Sequence, residues 1–374
     1  MDSSSVINLD ANASVPVLPC AVEAMTNVLR QEGNPSSPHR LGRALRAVLD
    51  QARDAVAGAL GGEGRDVFFN SGASEGNRWL VDAIARLGCD RGEPLLVAAT
   101  PLEHASLSKP LRAACARGDI RLHPLAVDEQ AELDLADPRP MEADVVFATA
   151  AHNETGRVID WAGLAAHCRD DAVLIADAAQ AMARLPVLPK RVDAIVASAH
   201  KAGGIAGCGA VLLRGNAKRL SAPWHGGAQE AGLRPGTEAT ALIAAFGAAA
   251  AHVEATRAES TALAPLRDHL ERQLLAAWPH ARVVAGGGSR LPNTTCLALD
   301  GVDGEALRIA VDQAGVCVGF GSACSSLAPA PSGALLALGL SPAQARATMR
   351  LSLSHRTTKR HVEQAITRLI PVGR

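Results

Sequence analysis

Aromatic residues are nearly absent from this chain of 374 residues, which has no tyrosine and in which aromatics make up only 2%. Surfaces that stack nucleic-acid bases on aromatic rings are therefore not expected. The charges show no excess of either sign, because 37 Lys and Arg residues stand against 38 Asp and Glu residues. Nucleic acid and anionic membranes bind basic surfaces. We therefore expect no direct nucleic-acid partner and no membrane partner.

Targeting and membrane signals are also missing. The first residues, MDSSS, contain neither a basic flank nor an apolar stretch, so they do not form a signal peptide. The longest apolar run, roughly residues 239–251, is too short to span a bilayer, which requires about 20 residues. We expect a soluble, cytoplasmic protein.

Metal-binding cysteine patterns are missing too. The eight cysteines are scattered, none forms a CxxC pair, and no Cys/His spacing is that of a zinc site. We therefore expect no metal, and reduced thiols of the kind found in the cytoplasm. For any single cysteine the ordinary interpretation is a small buried apolar side chain.

What the chain does contain is an alternation of short apolar runs with helical stretches rich in Ala and Leu. We predict strands at residues 66–69, 95–98, 144–148, 172–176, 193–197 and 210–213, and a first helix between Ser37 as N-cap and Gly61. This alternation predicts an α/β fold with a mostly parallel central sheet flanked by helices.

The second half of the chain predicts a smaller α+β domain. A long Ala-rich helix is predicted from about residue 238 towards residue 277, followed by strands at 294–299 and 316–318 and helices at 305–314 and 359–369. We expect a large domain of residues 15–255, and a small domain of residues 1–14 and 256–374.

Polar residues follow five of the predicted strands. Because ligands of open α/β sheets bind at the carboxyl ends of the strands, we expect these residues to share one site. Each alone is also compatible with a turn or a helix cap. The five segments are residues 70–75 (NSGASE), 100–104 (TPLEH), 151–154 (AHNE), 177–180 (DAAQ) and 198–201 (SAHK).

Three of these segments together favour one cofactor. Residues 71–74 (SGAS) precede a helix and offer backbone N–H groups to a phosphate, although alone they are compatible with an ordinary N-cap. Lys201 at a strand end can form a Schiff base, although most lysines are solvated charges. Asp177 follows an apolar run and requires a cationic partner. The combination fits pyridoxal 5'-phosphate, whose pyridinium nitrogen pairs with an Asp.

At these residues the chain resembles the cysteine desulfurases of the iron–sulfur-assembly type, a branch of the fold-type I, class V aminotransferase-like pyridoxal-phosphate enzymes. The resemblance runs from residue 9 to about residue 358. Its most specific motif is GFGSACSS at 319–326, similar to the active-cysteine loop of that family, here about residues 319–333. The other motifs are GNPSSPH at 33–39, SGASE at 71–75, EH at 103–104, NE at 153–154, DAAQ at 177–180, SAHK at 198–201 and RPGT at 234–237.

The resemblance implies a role for each matching residue. Lys201 would hold the cofactor as a Schiff base, His104 would stack on its ring, Asp177 would pair with the ring nitrogen and Gln180 with the ring hydroxyl. The remaining cofactor residues would be Ala73, Ser74, Ser198 and His200 at the phosphate, Asn153, and Thr237 reaching the phosphate of the other subunit of a homodimer. Arg350, Asn153 and Asn34 would bind the substrate, and Cys324 would accept its sulfur.

The activity implied is conversion of L-cysteine to L-alanine, with sulfur passed as a persulfide on Cys324 to an acceptor protein. The acceptor would serve iron–sulfur, molybdenum-cofactor or tRNA sulfuration. Cys324 lies among Gly, Ser and Ala residues, a composition typical of an exposed loop rather than of a core. The alternatives are another pyridoxal-phosphate lyase or aminotransferase, such as a selenocysteine lyase, or a catalytically silent sulfur-transfer partner.

The chain departs from the usual family pattern at several positions. Ser74 keeps the hydroxyl of the common Thr, so phosphate binding is little affected. The other departures are Val15, His152, Ala199, Ile205 and Ala206.

Overall fold

The computed structural model describes residues 6–321 and 330–373. In chain order, its strands are β1 (Ile7–Asn8), β2 (Val67–Asn70), β3 (Leu95–Ala99), β4 (Ile120–Pro124), β5 (Val145–Thr149), β6 (Val173–Asp177), β7 (Ala194–Ser198), β8 (Gly209–Leu213), β9 (Ala281–Val283), β10 (Thr294–Leu299), β11 (Val316–Cys317), β12 (Gly319–Phe320) and β13 (Thr348–Ser352). Its helices are α1 (Pro19–Leu29), α2 (Arg40–Leu60), α3 (Ala73–Arg91), α4 (Ala105–Arg117), α5 (Arg139–Glu142), α6 (Trp161–Ala166), α7 (Thr240–Ala251), α8 (Val253–Thr261), α9 (Ala264–Ala277), α10 (Gly304–Gln313), α11 (Gly333–Ala337), α12 (Pro342–Arg346) and α13 (Lys359–Leu369).

The large sheet has the strand order β2-β8-β7-β6-β5-β3-β4. Neighbouring strands are parallel except around β8, which is antiparallel to both β2 and β7. Every residue of β5, β6, β7 and β8 is buried, because helices cover both faces of the sheet. The predicted α/β fold with a mostly parallel sheet is confirmed.

Helix α2 shows how the sequence determines one of the covering helices. Leu45, Leu49 and Val56 recur at helical spacing and are buried. The helix ends at Gly61, whose φ of 75° is the left-handed conformation that glycine adopts most easily. The predicted start at Ser37 is wrong: the N-cap is His39, whose ring nitrogen accepts from the N–H of Gly42.

A four-stranded antiparallel sheet, β12-β13-β10-β9, forms the second unit. Its core contains the fully buried Trp278 and the apolar faces of α9 and α13. The N-terminal strand β1 joins this unit by pairing in parallel with β11. The predicted division into residues 15–255, and 1–14 with 256–374, remains a prediction.

The long helix predicted from about residue 238 to residue 277 is wrong. The chain instead forms α7, α8 and α9, separated at His252 and at Ala262–Leu263. Helix α7 packs against α1 and α2, whereas α9 packs against α13 of the second unit. The chain must change direction between these two packing surfaces, which an Ala-rich sequence does not reveal. None of the helices in the described residues is long and apolar enough to cross a membrane.

Candidate active site

The carboxyl ends of five strands lie at one edge of the large sheet. Strands β3, β5, β6 and β7 run in parallel, and β2 runs in the same direction because β8 is antiparallel to both β2 and β7. The polar segments that follow these strands therefore emerge on the same side. This edge is where open α/β sheets bind ligands.

A hydrogen-bond network joins the buried Asp177 to the exposed His104. The Asp177 carboxylate accepts from Nδ2 of Asn77 at 2.8 Å and from the N–H of Ala179 at 2.9 Å. Asn77 Nδ2 also lies 3.0 Å from Oγ of Ser106, which is 2.8 Å from Nδ1 of His104. His104 caps α4 by accepting from the N–H of Ser106. The carboxylate and the imidazole are thus held in fixed relation at the ends of β6 and β3, the two strands that flank β5.

The N-terminus of α3 forms a second part of the site. Gly72, with a φ of 147°, precedes the helix, and no side chain caps the N–H groups of its first turn at Ala73 and Ser74. Ser198 lies beside this end, since a Cβ added to Gly72 would be 3.7 Å from its Oγ. The Ser198 hydroxyl is 2.9 Å from Nδ1 of His200. Uncapped N–H groups, a hydroxyl and an imidazole are suited to an anion such as a phosphate.

Lys201 lies in the turn of 3-10 helix that follows β7. Its Nζ donates to the carbonyl oxygens of Asn12 and, at 2.8 Å, Ala13. Burial lowers the pKa of Lys201, and together with the positive charges of Arg350 and Arg184 it brings this pKa to about 8. A substantial fraction of the amine is therefore neutral near physiological pH, as a nucleophile or base requires.

Arg350 is held from two sides on β13. It is 7% exposed, its Nη1 donates to the carbonyl of Asn153 at 3.1 Å, and its Nη2 donates to Asp10 Oδ1 at 2.5 Å. Its Nε is buried and has no partner. A fixed guanidinium with an unused donor is suited to binding a carboxylate.

Asn12 connects the site to the second unit, and the sequence analysis did not identify it. Its backbone carbonyl accepts from Lys201 and from Nε2 of Gln180, the latter at 2.9 Å. Its side-chain Nδ2 donates to Oγ1 of Thr294 at 2.9 Å and to the carbonyl of Asn153 at 3.2 Å. The signal in the sequence that could have identified Asn12 is the family resemblance, which begins at residues 9–10 and so also includes Asp10.

Two further buried groups at the strand ends are uncharged near neutral pH. Burial raises the pKa of Glu103 to about 8, and its Oε1 accepts from Oγ1 of Thr100 at 2.5 Å and from the N–H of Thr149 at 2.8 Å. Burial lowers the pKa of His152 to about 3, and its Nδ1 is 2.9 Å from Oγ1 of Thr155. His152 thus contributes a neutral ring where the family pattern has Asn.

Three predicted site residues lie outside this cluster. Asn34 is exposed before α2, and its side chain accepts from the N–H of Ser36 within its own turn. Thr237 is exposed in the segment before α7. Cys324 falls in residues 322–329, outside the described residues, and its predicted role remains a prediction.

Glu154 is hydrogen-bonded to a residue that follows 322–329 and lies near one that precedes this segment. It accepts from Oγ of Ser332 at 2.7 Å, and its Oε2 lies 3.5 Å from the position of a Cβ added to Gly321. Burial raises the pKa of Glu154 above its usual range. The hydrogen bond links Glu154 to the segment that follows the predicted cysteine loop.

The residues present fit pyridoxal phosphate. The uncapped end of α3 suits its phosphate, the buried Asp177 carboxylate suits a pyridinium nitrogen, and Lys201 provides the amine. Gln180 Oε1 is buried without a partner, so it can accept from a ring hydroxyl. Within residues 6–321 and 330–373, no group of three His, Cys, Asp or Glu side chains is arranged to hold a metal ion.

The chain is similar to known proteins over nearly its whole length. The family model described as "Aminotransferase class-V" matches residues 7–365. A cysteine desulfurase from Cereibacter sphaeroides is 35% identical, over 98% of this chain and 95% of that protein. A NifS-like protein from Rickettsia africae has a solved structure that is similar with a TM-score of 0.86 and 27% identity, over 98% of this chain and 99% of that one. SspA, solved in complex with cysteine, has a TM-score of 0.80 and 25% identity, over 94% of this chain and 100% of that one.

Proposed function

The chain belongs to the class-V aminotransferase family, and we propose that it is a pyridoxal-phosphate-dependent cysteine desulfurase. It would convert L-cysteine to L-alanine and pass the sulfur to an acceptor protein. The observation that carries this proposal is the gathering of Lys201, Asp177, the uncapped end of α3 and Arg350 around one sheet edge. The cysteine desulfurases among its relatives, and SspA with its bound cysteine, support the substrate.

The proposed cofactor site uses groups at the ends of β6, β7 and α3. Lys201 would hold the cofactor covalently, Asp177 would keep a ring nitrogen protonated, and Gln180 and His104 would contact the ring. The phosphate would bind to the N–H groups at Ala73 and Ser74 and to Ser198 and His200, with Asn153 beside the ring. When bound, pyridoxal phosphate supplies an electron sink for the pair left when a proton leaves the substrate Cα.

Arg350 would bind and orient the substrate through its carboxylate. Two planar N–H donors match the two oxygens of a carboxylate, and Nε of Arg350 is buried without a partner. The Asn153 carbonyl and Asp10 Oδ1 accept from the two terminal nitrogens and fix the guanidinium in place. Asn153 and Asn34 complete the proposed substrate residues.

Lys201 would move the Cα proton. Its Nζ accepts a proton only in the neutral form, and the lowered pKa of about 8 makes that form available at neutral pH. The neighbouring Asn12 and Ala13 carbonyls then accept hydrogen bonds from the protonated amine. The same group can return the proton when the product forms.

Cys324 would accept the sulfur. Its thiolate attacks the substrate sulfur, an S–S bond forms, the Cβ–S bond breaks, and the electron pair left at Cβ is protonated. The balance is L-cysteine plus a Cys324 thiol giving L-alanine plus a Cys324 persulfide, with no external oxidant. Glu154 would position the segment after the cysteine loop through its hydrogen bond with Ser332.

The remaining features of the proposal concern assembly. We propose a cytoplasmic homodimer in which the exposed Thr237 of one subunit reaches the phosphate site of the other. An acceptor protein for iron–sulfur, molybdenum-cofactor or tRNA sulfuration would take the persulfide. The large domain would carry the cofactor, and the small domain would carry Arg350 and Cys324.

The Cys324→Ser variant tests the sulfur-transfer step. The cofactor-loaded variant and the wild type are incubated with L-cysteine, and persulfide is detected by alkylation and mass spectrometry. We expect the variant to retain the cofactor absorbance and lose the persulfide and alanine formation. Cys317→Ser, at an exposed cysteine on β11, serves as the matched control and should behave as the wild type. Formation of persulfide and alanine by Cys324→Ser at the wild-type level would refute this role.

A further inference from the structure

Gly319 lies directly opposite Arg350 in the second sheet unit. The two residues are paired across the antiparallel strands β12 and β13, and Gly319 is buried. Its φ is not in the left-handed region, so backbone conformation does not explain a glycine at this position. The space beside its Cα gives a different reason.

The guanidinium of Arg350 occupies the space that a side chain at position 319 would need. A Cβ added to Gly319 would lie 2.6 Å from Nη2 of Arg350 and 2.7 Å from both Cζ and Nε. Because ordinary van der Waals contact begins at 3.4 Å, the nearest nitrogen would have to move by the difference of about 0.8 Å. Only glycine therefore permits the observed position of this guanidinium.

Hydrogen bonds at both terminal nitrogens oppose such a movement. Nη1 of Arg350 donates to the Asn153 carbonyl at 3.1 Å, and Nη2 donates to Asp10 Oδ1 at 2.5 Å. A displacement of about 0.8 Å stretches an ordinary hydrogen bond beyond its usual range. The guanidinium is the far end of a flexible side chain, whereas Gly319 belongs to the backbone of a paired strand. A side chain at position 319 would therefore displace Arg350 rather than β12.

We propose that Gly319 is a positioning residue for the substrate. By leaving its Cβ space empty, it determines where Arg350 presents its charge to the substrate carboxylate. This inference rests on the proposed role of Arg350 and extends it to a residue that acts through the guanidinium. Gly319 is also the first residue of the GFGSACSS motif, whose proposed sulfur-accepting role belongs to Cys324 and does not itself require a glycine at 319.

The first test compares a ligand that has a carboxylate with one that lacks it. L-alanine and ethylamine differ only by this group, and both carry an amine that reacts with bound pyridoxal phosphate. Their binding to the cofactor-loaded full chain is followed by the absorbance of the cofactor. We expect Gly319→Ala to weaken L-alanine binding on the order of tenfold, because a misplacement near 1 Å costs up to about 100-fold. Ethylamine binding should be unchanged.

Two results of this test would overturn the proposal. One is an equal affinity of Gly319→Ala and the wild type for L-alanine, and the other is an equal weakening of both ligands. Gly58→Ala is the matched control, since Gly58 is exposed on α2 and a Cβ added there has no atom within 4 Å. This control should bind both ligands as the wild type does.

The second test is a double-mutant cycle with Arg350→Ala, which removes the guanidinium. If Gly319 acts through Arg350, Gly319→Ala should weaken L-alanine binding in the wild-type background and add nothing in the Arg350→Ala background. The same weakening factor in both backgrounds would overturn the proposal. If Gly319→Ala alone does not fold, thermal unfolding replaces the binding measurement. The double variant should then recover the folded state, and its failure to do so would overturn the proposal.

These measurements separate the role of Gly319 from the proposed desulfurase activity, because L-alanine binding involves no sulfur chemistry. If Arg350→Ala binds L-alanine as tightly as the wild type does, both the assignment of Arg350 and this inference are wrong. A wild type that forms no alanine from L-cysteine but shows the predicted affinities would contradict the desulfurase assignment and support the role of Gly319.

Discussion

Lys201 is expected to reduce the stability of the apoprotein at neutral pH, because its ammonium form is poorly solvated in the fold. Its pKa is about 8 in the folded chain and has an ordinary value of 10.5. Below pH 8 both the folded and the unfolded chain carry the proton, so the full penalty is present. As the pH rises from 8 to 10.5, the folded chain releases its proton before the unfolded chain does, and stability increases.

The magnitude follows from these two values. Between pH 7 and pH 10 the wild type should gain about 2.5 kcal/mol of unfolding free energy relative to Lys201→Met, which has no titrating group. The unfolding free energy of Lys201→Met relative to that of the wild type should therefore be highest at pH 7. The substitution also removes the donor to the carbonyls of Asn12 and Ala13, a loss that is separate from the titration.

The assay is urea unfolding of the two apoproteins at several pH values, with the exposed-site variant Lys190→Met as the control. The difference between Lys190→Met and the wild type should not change over this pH range. A difference between Lys201→Met and the wild type that is independent of pH would refute the reasoning, because it would show that Lys201 has an ordinary pKa in the fold.

Three further predictions concern other groups of the candidate site. Arg350→Lys should raise the KM for L-cysteine about tenfold with a smaller change in kcat, because lysine lacks the planar paired donors; an unchanged KM in steady-state kinetics would contradict the assigned role. Glu103 is neutral in the fold up to about pH 8 but ionises near 4.5 when unfolded. The wild type should therefore lose stability relative to Glu103→Gln between these values, on the order of 4 kcal/mol in pH-dependent urea unfolding, whereas parallel curves would contradict the shift. Glu154→Ala should lower the unfolding free energy by about 1–3 kcal/mol, because it leaves the Ser332 hydroxyl without its partner; no loss would show that the contact is not stabilising.

The sequence predicted the buried strands closely, for a physical reason. Strands β5, β6 and β7 are covered on both faces, so each appears as a continuous apolar run, and each prediction is within one residue of the observed bounds. Strand β4 was missed because it lies at the sheet edge and only Ile120 of its residues is buried. A half-exposed edge strand has no such run.

The residues that the sequence analysis missed act through contacts between distant parts of the chain. Asp10 and Arg350 are separated by 340 residues, and Asn12 and Lys201 by 189. No local pattern contains such a pair, because the pairing exists only after the N-terminal segment lies between the two sheets.

Alanine formation from L-cysteine is the measurement that tests the proposed function most directly. The cofactor-loaded protein is incubated with L-cysteine and a thiol reductant, which regenerates Cys324 after each turnover in place of the acceptor. We predict that alanine accumulates over many turnovers and that Lys201→Met forms none. A protein that binds the cofactor but forms no alanine, even with the reductant present, would contradict the assignment as a cysteine desulfurase.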